Sequence, residues 1–212
     1  RDAVETPAQF TWELEAGQYE VVTSLEDGNR IYSLRLDPPV FMGQYFHRGK
    51  VARTLGLPED DIAITGLPCE IISTGLPIHI VPLASLDAMS RIILRHRDAD
   101  AIAGDLGFGD LFVFTCETVH AESTVHCRMF APYFGIPEDA ASGAATGALV
   151  AYLVKHRLVK YSSRVRIISE QGLEMGRPSR LIAEAGISGG QATDIQVGGR
   201  CVLVGTGSIN IP

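Results

Sequence analysis

The 212 residues are 46% hydrophobic and 20% charged, as in an ordinary globular chain with room for one large domain or two small ones. The formal net charge of -7 argues against a nucleic-acid footprint. No apolar run reaches membrane-spanning length, the longest being Ala144–Val154, interrupted by Thr146.

In chain order, the first forty residues read as a strand meander. Phe10 to Leu14 alternates, Ala16-Gly17 marks a turn, and Tyr19 to Ser24 is a second strand. Glu26-Asp27-Gly28-Asn29 is a hairpin turn into a third strand, Arg30 to Leu36, which Asp37-Pro38-Pro39 ends. Lys50 to Leu57 has helical spacing and stops at Gly56-Leu57-Pro58. Pro58 to Pro68 reads as a linker between two halves. Cys69 to Thr74 and Ile78 to Leu83 follow as strands. Ser85 to His96 fits one helix, with Ser85 as N-cap and Arg95-His96-Arg97 at its C-terminal end. Leu111 to Thr115 and Val125 to Phe130 read as strands. Arg164 to Ser169, Arg180 to Glu184, Ile195 to Val197 and Cys201 to Val204 are short strands separated by glycine-rich turns. Strands flanking one buried helix predict an α+β fold, a curved sheet wrapped around that helix.

That helix is the most informative stretch. Glu138-Asp139 enters the small-residue turn Ala140-Ala141-Ser142-Gly143, and no polar face follows beyond Thr146 until Lys155. A helix apolar all round is buried. Its first N–H groups have no intrahelical partner and suit an anion. A carboxylic acid beside an anion site fits proton chemistry on a small acid. The simpler reading is that Asp139 or Ser142 merely caps the helix. Ser142 has Ala145 three residues on, so no capping box supports that reading.

Other motifs are weak. Cys69, Cys116, Cys127 and Cys201 form no C-x-x-C pair and have no histidine at zinc-like spacing, so reduced thiols in a cytoplasmic protein and no metal are expected. No signal peptide is read at the N-terminus. His96 and His156 fall at predicted helix C-termini, and the remaining histidines are scattered. Gly205-Thr206-Gly207-Ser208 has no room for a following helix, so it is not a dinucleotide fingerprint. No Gly-x-Ser-x-Gly elbow is present.

Two runs carry a family resemblance. One is Arg128 to Ala144, with Pro132, Gly135-Ile136 and Glu138-Asp139-Ala140-Ala141-Ser142-Gly143-Ala144. The other is Gln171-Gly172-Leu173-Glu174-Met175-Gly176-Arg177-Pro178-Ser179, with Thr74-Gly75 and Val197-Gly198-Gly199 in the expected order. They resemble the phenazine-biosynthesis PhzF-like family of the diaminopimelate-epimerase-like superfamily.

The resemblance implies two pseudo-symmetric halves, each a curved mixed sheet around a central helix, with the site in the cleft between them. Residues 1–67 would be the remainder of the first half. Residues 68–205 would be the second half, with its central helix near 143–157, and 206–212 a terminal segment. It implies a cofactor-independent isomerase acting on a small carboxylate, and a homodimer; charge and apolar-run length add the expectation of no nucleic acid or membrane as partner. Asp139 would be catalytic. Ser142, Gly143, Ala144, Thr74 and Gly75 would bind substrate. The family's proton-carrying glutamate and Gly-His pair find no match, so the first half is expected to be incomplete here. Ala140 replaces a proline and Ala144 a serine. The cysteine of the thiol epimerases is absent from Ala140-Ala141-Ser142. The loss of the serine at Ala144 and of the N-terminal catalytic segment keeps an alternative open, a non-catalytic small-acid-binding or interaction protein on the same scaffold.

Overall fold

The computed structural model describes residues 9–15, 17–26 and 28–208. Ala16 and Asp27 of the two expected turns lie outside the described residues. The strands β1 (Gln9–Leu14), β2 (Gly17–Glu26) and β3 (Asn29–Arg35) form the expected antiparallel meander. β3 then pairs with the last strand, β12 (Gln191–Arg200), and joins the meander to the rest of one sheet. β1 leaves Phe10, Trp12 and Leu14 exposed.

From β12 the sheet runs through β11 (Ser179–Ser188), β10 (Arg164–Gln171), β8 (Val125–Ala131), β7 (Leu111–Thr115), β6 (Pro77–Pro82) and β5 (Glu70–Ser73) to β4 (Val40–Gln44). A short strand, β9 (Ile136–Asp139), pairs with the far end of β8. The sheet is mixed, because β6–β7 and β8–β10 are parallel and the other pairs antiparallel. With its helices this is an α+β architecture.

The central strands are buried on both faces, so they read as near-continuous apolar runs. On the inner face, Ile78, Ile80, Phe112, Phe114, Val125, Cys127 and Met129 pack around helix α5 (Gly143–Lys155). Ala183, Ala185 and Val197 meet the same helix from the other side. Every residue of α5 from Ala145 to Val154 is buried, which is why the helix has no polar stripe. Gly147 lets strands approach closely: a Cβ there would lie 3.4 Å from Val197 Cγ2 and would displace the Leu36 side chain. His156 ends α5, as expected, and hydrogen-bonds to buried Glu70.

The outer face is covered by α1 (Arg48–Leu55), α2 (Asp60–Ala63), α3 (Leu86–Ser90) and α4 (His96–Leu106). Val51, Leu55, Ile62, Met89 and Ile102 from these helices pack on Ile71, Val81, Leu111, Val113 and Phe130 of the sheet. The boundary expected at residue 67 falls inside this arrangement, since α1 and α2 share the outer core with strands beyond it.

Two expectations need correction, and one strand is new. Ser85 to His96 is not one helix. α3 is capped by the Ser85 hydroxyl, as expected, but ends at Ser90, and His96 opens α4 instead of closing a helix. The reason is tertiary: Ile93 and Arg95 donate their N–H groups to Leu55 O and Thr54 O, satisfying carbonyls left free at the end of α1. Cys201 to Val204 is not a strand, because the β3 ladder ends at Ile31↔Arg200 and these residues are exposed. β4, which sequence reasoning left unassigned, forms an edge on β5 with an irregular register between Phe41 and Gly43.

Candidate functional site

The loop entering α5 is held by a set of hydrogen bonds. Ser142 is the N-cap residue, but its side chain makes no capping bond. Its hydroxyl donates to Asp139 Oδ2 at 2.5 Å and accepts from Gln171 Nε2 at 3.2 Å. The simple capping reading therefore fails for Ser142. The first N–H groups of α5 are left without an intrahelical partner and without that cap. No acidic side chain lies in the first helical turn to neutralise them.

The run that begins at Gln171 has a structural job that a turn assignment alone does not reveal. Gln171 ends β10 fully buried, donates to Asp139 O at 2.7 Å and accepts from Ser142 N–H at 3.3 Å. Ser179 donates its hydroxyl to Ala140 O at 2.7 Å. Gly172 has φ +78, and a Cβ there would lie 2.4 Å from Arg177 O and 2.9 Å from Ala140 O. The glycine is thus required by both its conformation and the close approach of two backbones. Asp139 also accepts from Ala141 N–H at 3.4 Å. Its neighbour Glu138 points away and forms a two-pronged ion pair with Arg128, at 2.8 and 2.9 Å. Arg128 also donates to Met89 O. That pair ties β8, β9 and α3 together beneath the loop.

The loop and helix start form one wall of a cavity of about 440 Å³. Asp139, Ser142, Gly143 and Ala144 all line it, with Ala141 and Ala145. Its floor is apolar, made by Leu76, Ile78, Met129, Ala131, Phe134 and Ile136. Thr74 sits behind this wall and donates its hydroxyl to Ala144 O at 3.3 Å. Gly75, at φ +117, stands beside Asp37 and is outside the cavity lining. A larger cavity of about 500 Å³ lies over β2, β3 and β10–β12, but its charges are already paired, Arg166 with Glu26 and Glu184.

One cavity residue was missed by sequence reasoning. Asp110 stands at the start of β7, is 3% exposed, and its Oδ1 has no hydrogen-bond partner among the described residues. Burial pushes its carboxyl up to about 6. The only sequence signal is an acid between Gly109 and an apolar strand. Away from the cavity, buried His126 bridges Glu170 and Glu174, at 2.9 Å to each. Glu170 in turn accepts the N–H groups of Val119 and His120. This cluster fastens loops to β8 and β10. Among the described residues, no group of three or more His, Cys, Asp or Glu is gathered closely enough to hold a metal ion. None of the described helices is long and apolar enough to cross a membrane.

A carboxyl beside a free helix N-terminus, over an apolar floor, can hold a small organic anion and place an acid–base group against it. The chain is 32% identical over 188 residues to the uncharacterized isomerase YfhB of Bacillus subtilis, covering 88% of this chain and 63% of that protein. It is 36% identical over 149 residues to the trans-2,3-dihydro-3-hydroxyanthranilate isomerase of Pseudomonas fluorescens, covering 70% and 50%. It therefore spans between half and two thirds of these relatives' length. The fold matches the crystal structure of a Bacillus anthracis phenazine biosynthesis protein of the PhzF family, with TM-score 0.83 at 23% identity, over 93% of this chain and 67% of that one. A hydroxyproline epimerase from Agrobacterium vitis shares the fold at TM-score 0.55 and 13% identity, over 94% and 58%. The family described as phenazine biosynthesis-like protein, PhzC-PhzF, matches residues 2–207, and the chain belongs to that family.

Proposed function

We propose that this chain carries one wall of the active site of an isomerase that moves a proton on a small carboxylate-bearing molecule, without a cofactor. The observation that carries the reading is the position of Asp139. Its carboxyl lines the same cavity as the uncapped N-terminus of the buried helix α5. In this reading the N–H groups of Gly143 and Ala144 hold the substrate carboxylate. Asp139, fixed by Ser142 and Ala141, orients or ionises the substrate as a C–H bond breaks and another forms. The apolar floor keeps water from competing for the proton. Relatives named as trans-2,3-dihydro-3-hydroxyanthranilate isomerases support this reaction class. The homodimer implied by the family and the cytoplasmic location read from the unpaired cysteines remain part of the proposal.

The test is exchange of substrate C–H with deuterated water, followed by proton NMR on the full-length protein with trans-2,3-dihydro-3-hydroxyanthranilate. Exchange is expected, and Asp139→Asn should suppress it at least about a hundredfold, the scale of a lost acid–base group. Unchanged exchange in that variant would remove Asp139 from the mechanism. The alternative, a small-acid-binding protein without catalysis, is motivated by Ala144, which lines the cavity but carries no side-chain donor. Binding of the acid with no exchange would favour that alternative.

A further inference from the structure

Asp110 is not used by the reading above, yet it lines the same cavity. The strand register fixes where it points. Leu111 pairs with Phe130 on β8 and with His79 on β6, so Asp110 stands level with Ala131 and Ile78. Leu111 and Phe130 face the outer core, whereas Ala131 and Ile78 face α5. Successive strand residues alternate faces, so Asp110 belongs to the inner face with the cavity floor. On the other side of β8, Met129 pairs with Asp139. Asp110 and Asp139 are thus two strands apart and two residues offset. That places their Cα atoms roughly 12 Å apart on an ideal sheet. The gap fits one small ring with a substituent at either end.

Among the described residues, the Asp110 carboxyl finds no hydrogen-bond partner. It is nine-tenths buried or more, and its Oδ1 is unpartnered among the described residues. Burial alone accounts for its raised pKa, and no cation offsets it. Buried polar groups are normally satisfied, so an acid left unpaired on a cavity wall points to a partner that arrives with the ligand. A carboxylate accepts hydrogen bonds, and its complement is a hydroxyl or amine.

We propose that Asp110 is a specificity residue of this cavity, selecting small carboxylic acids that carry a hydroxyl or amine donor on the side away from the carboxylate. The proposal rests on the reading that α5 holds the ligand's carboxylate. The ligand class is then a compact, ring-sized acid with two polar ends and an apolar middle, the middle lying on Ile78, Met129 and Ala131.

The experiment is isothermal calorimetry on the full-length protein with two probes, benzoate and 3-hydroxybenzoate. Wild type should bind 3-hydroxybenzoate about tenfold more tightly, the value of one hydrogen bond to a charged group. Asp110→Leu should bring the two affinities to within about twofold of each other. A thermal melt of the variant checks that it is folded. The comparison within wild type tests the proposal even if the variant fails to fold. Equal affinities in wild type, or a preference that survives in folded Asp110→Leu, would overturn the role of Asp110. No binding of either probe would overturn it together with the anion site. The isomerase reading is judged separately. Selective binding without deuterium exchange would sink that reading and leave this one standing. Exchange without selective binding would do the reverse.

Discussion

The substitution Asp110→Asn should change how stability depends on pH. Burial lifts the Asp110 carboxyl from the ordinary 3.8 to about 6. That displacement amounts to about 3 kcal/mol against the ionised form at neutral pH. Between those two values the folded chain binds more protons than the unfolded chain, so stability from this group falls as pH rises. Its favourable contribution is fully present below 3.8 and lost as pH climbs through about 6. Going from about pH 7.5 down to about pH 5, wild type should regain about 1.4 kcal/mol through Asp110 alone. An asparagine does not titrate. The stability of Asp110→Asn minus that of wild type should therefore shrink by about 1.4 kcal/mol over that interval. Urea unfolding of both proteins at the two pH values measures it, and the subtraction cancels every other titrating group. A difference that stays constant with pH would show that Asp110 is partnered or solvated, and the argument for an open ligand-facing acid would fail with it.

Gly172→Ala combines an unfavourable φ of +78 with a Cβ pressed on the backbone oxygens of Arg177 and Ala140. It should destabilise by about 3 kcal/mol in urea unfolding and weaken benzoate binding by moving Ala140 and the loop. Glu138→Gln leaves the buried Arg128 guanidinium short of its charged partner, and should cost about 3 kcal/mol by the same assay. Loss of less than about 1 kcal/mol would mean that Arg128 finds another partner. For His126, burial opposes the charged imidazolium, but hydrogen bonds to Glu174 and Glu170 outweigh it and raise the pKa. The stability it contributes is full below the ordinary value of 6.5 and lost as pH rises through the raised one. His126→Asn should therefore destabilise more at about pH 6 than at about pH 9, and equal losses would indicate a neutral, purely packing role.

The element pattern was largely legible before the structure, because it depends on local periodicity. The all-apolar run after Thr146 reads as a buried helix, and the alternating runs before Asp37 read as a strand meander. Local signals misled where distant backbone intervened. Ile92 to Arg95 continues a plausible helix in sequence, yet the N–H groups of Ile93 and Arg95 close the end of α1, some forty residues earlier by numbering. Val202 to Val204 has the composition of a strand but no neighbouring ladder to join. Gln171 and Gly172 stood out as a motif, while their grip on Asp139, Ser142 and Ala140 depends on bringing β10 against a loop thirty residues away.

The sequence alone determined that a buried helix would begin just after an acid. Residue type and spacing decide both, and neither needs a distant partner. Only the tertiary structure decided that Ser142 turns to Asp139 and Gln171 instead of capping the helix, and that a second acid, Asp110, faces the same cavity unpaired. A carboxyl's desolvation and its choice of partners come from strands that meet only when the sheet closes around α5. One acid before an apolar strand looks like any other until those strands are in place.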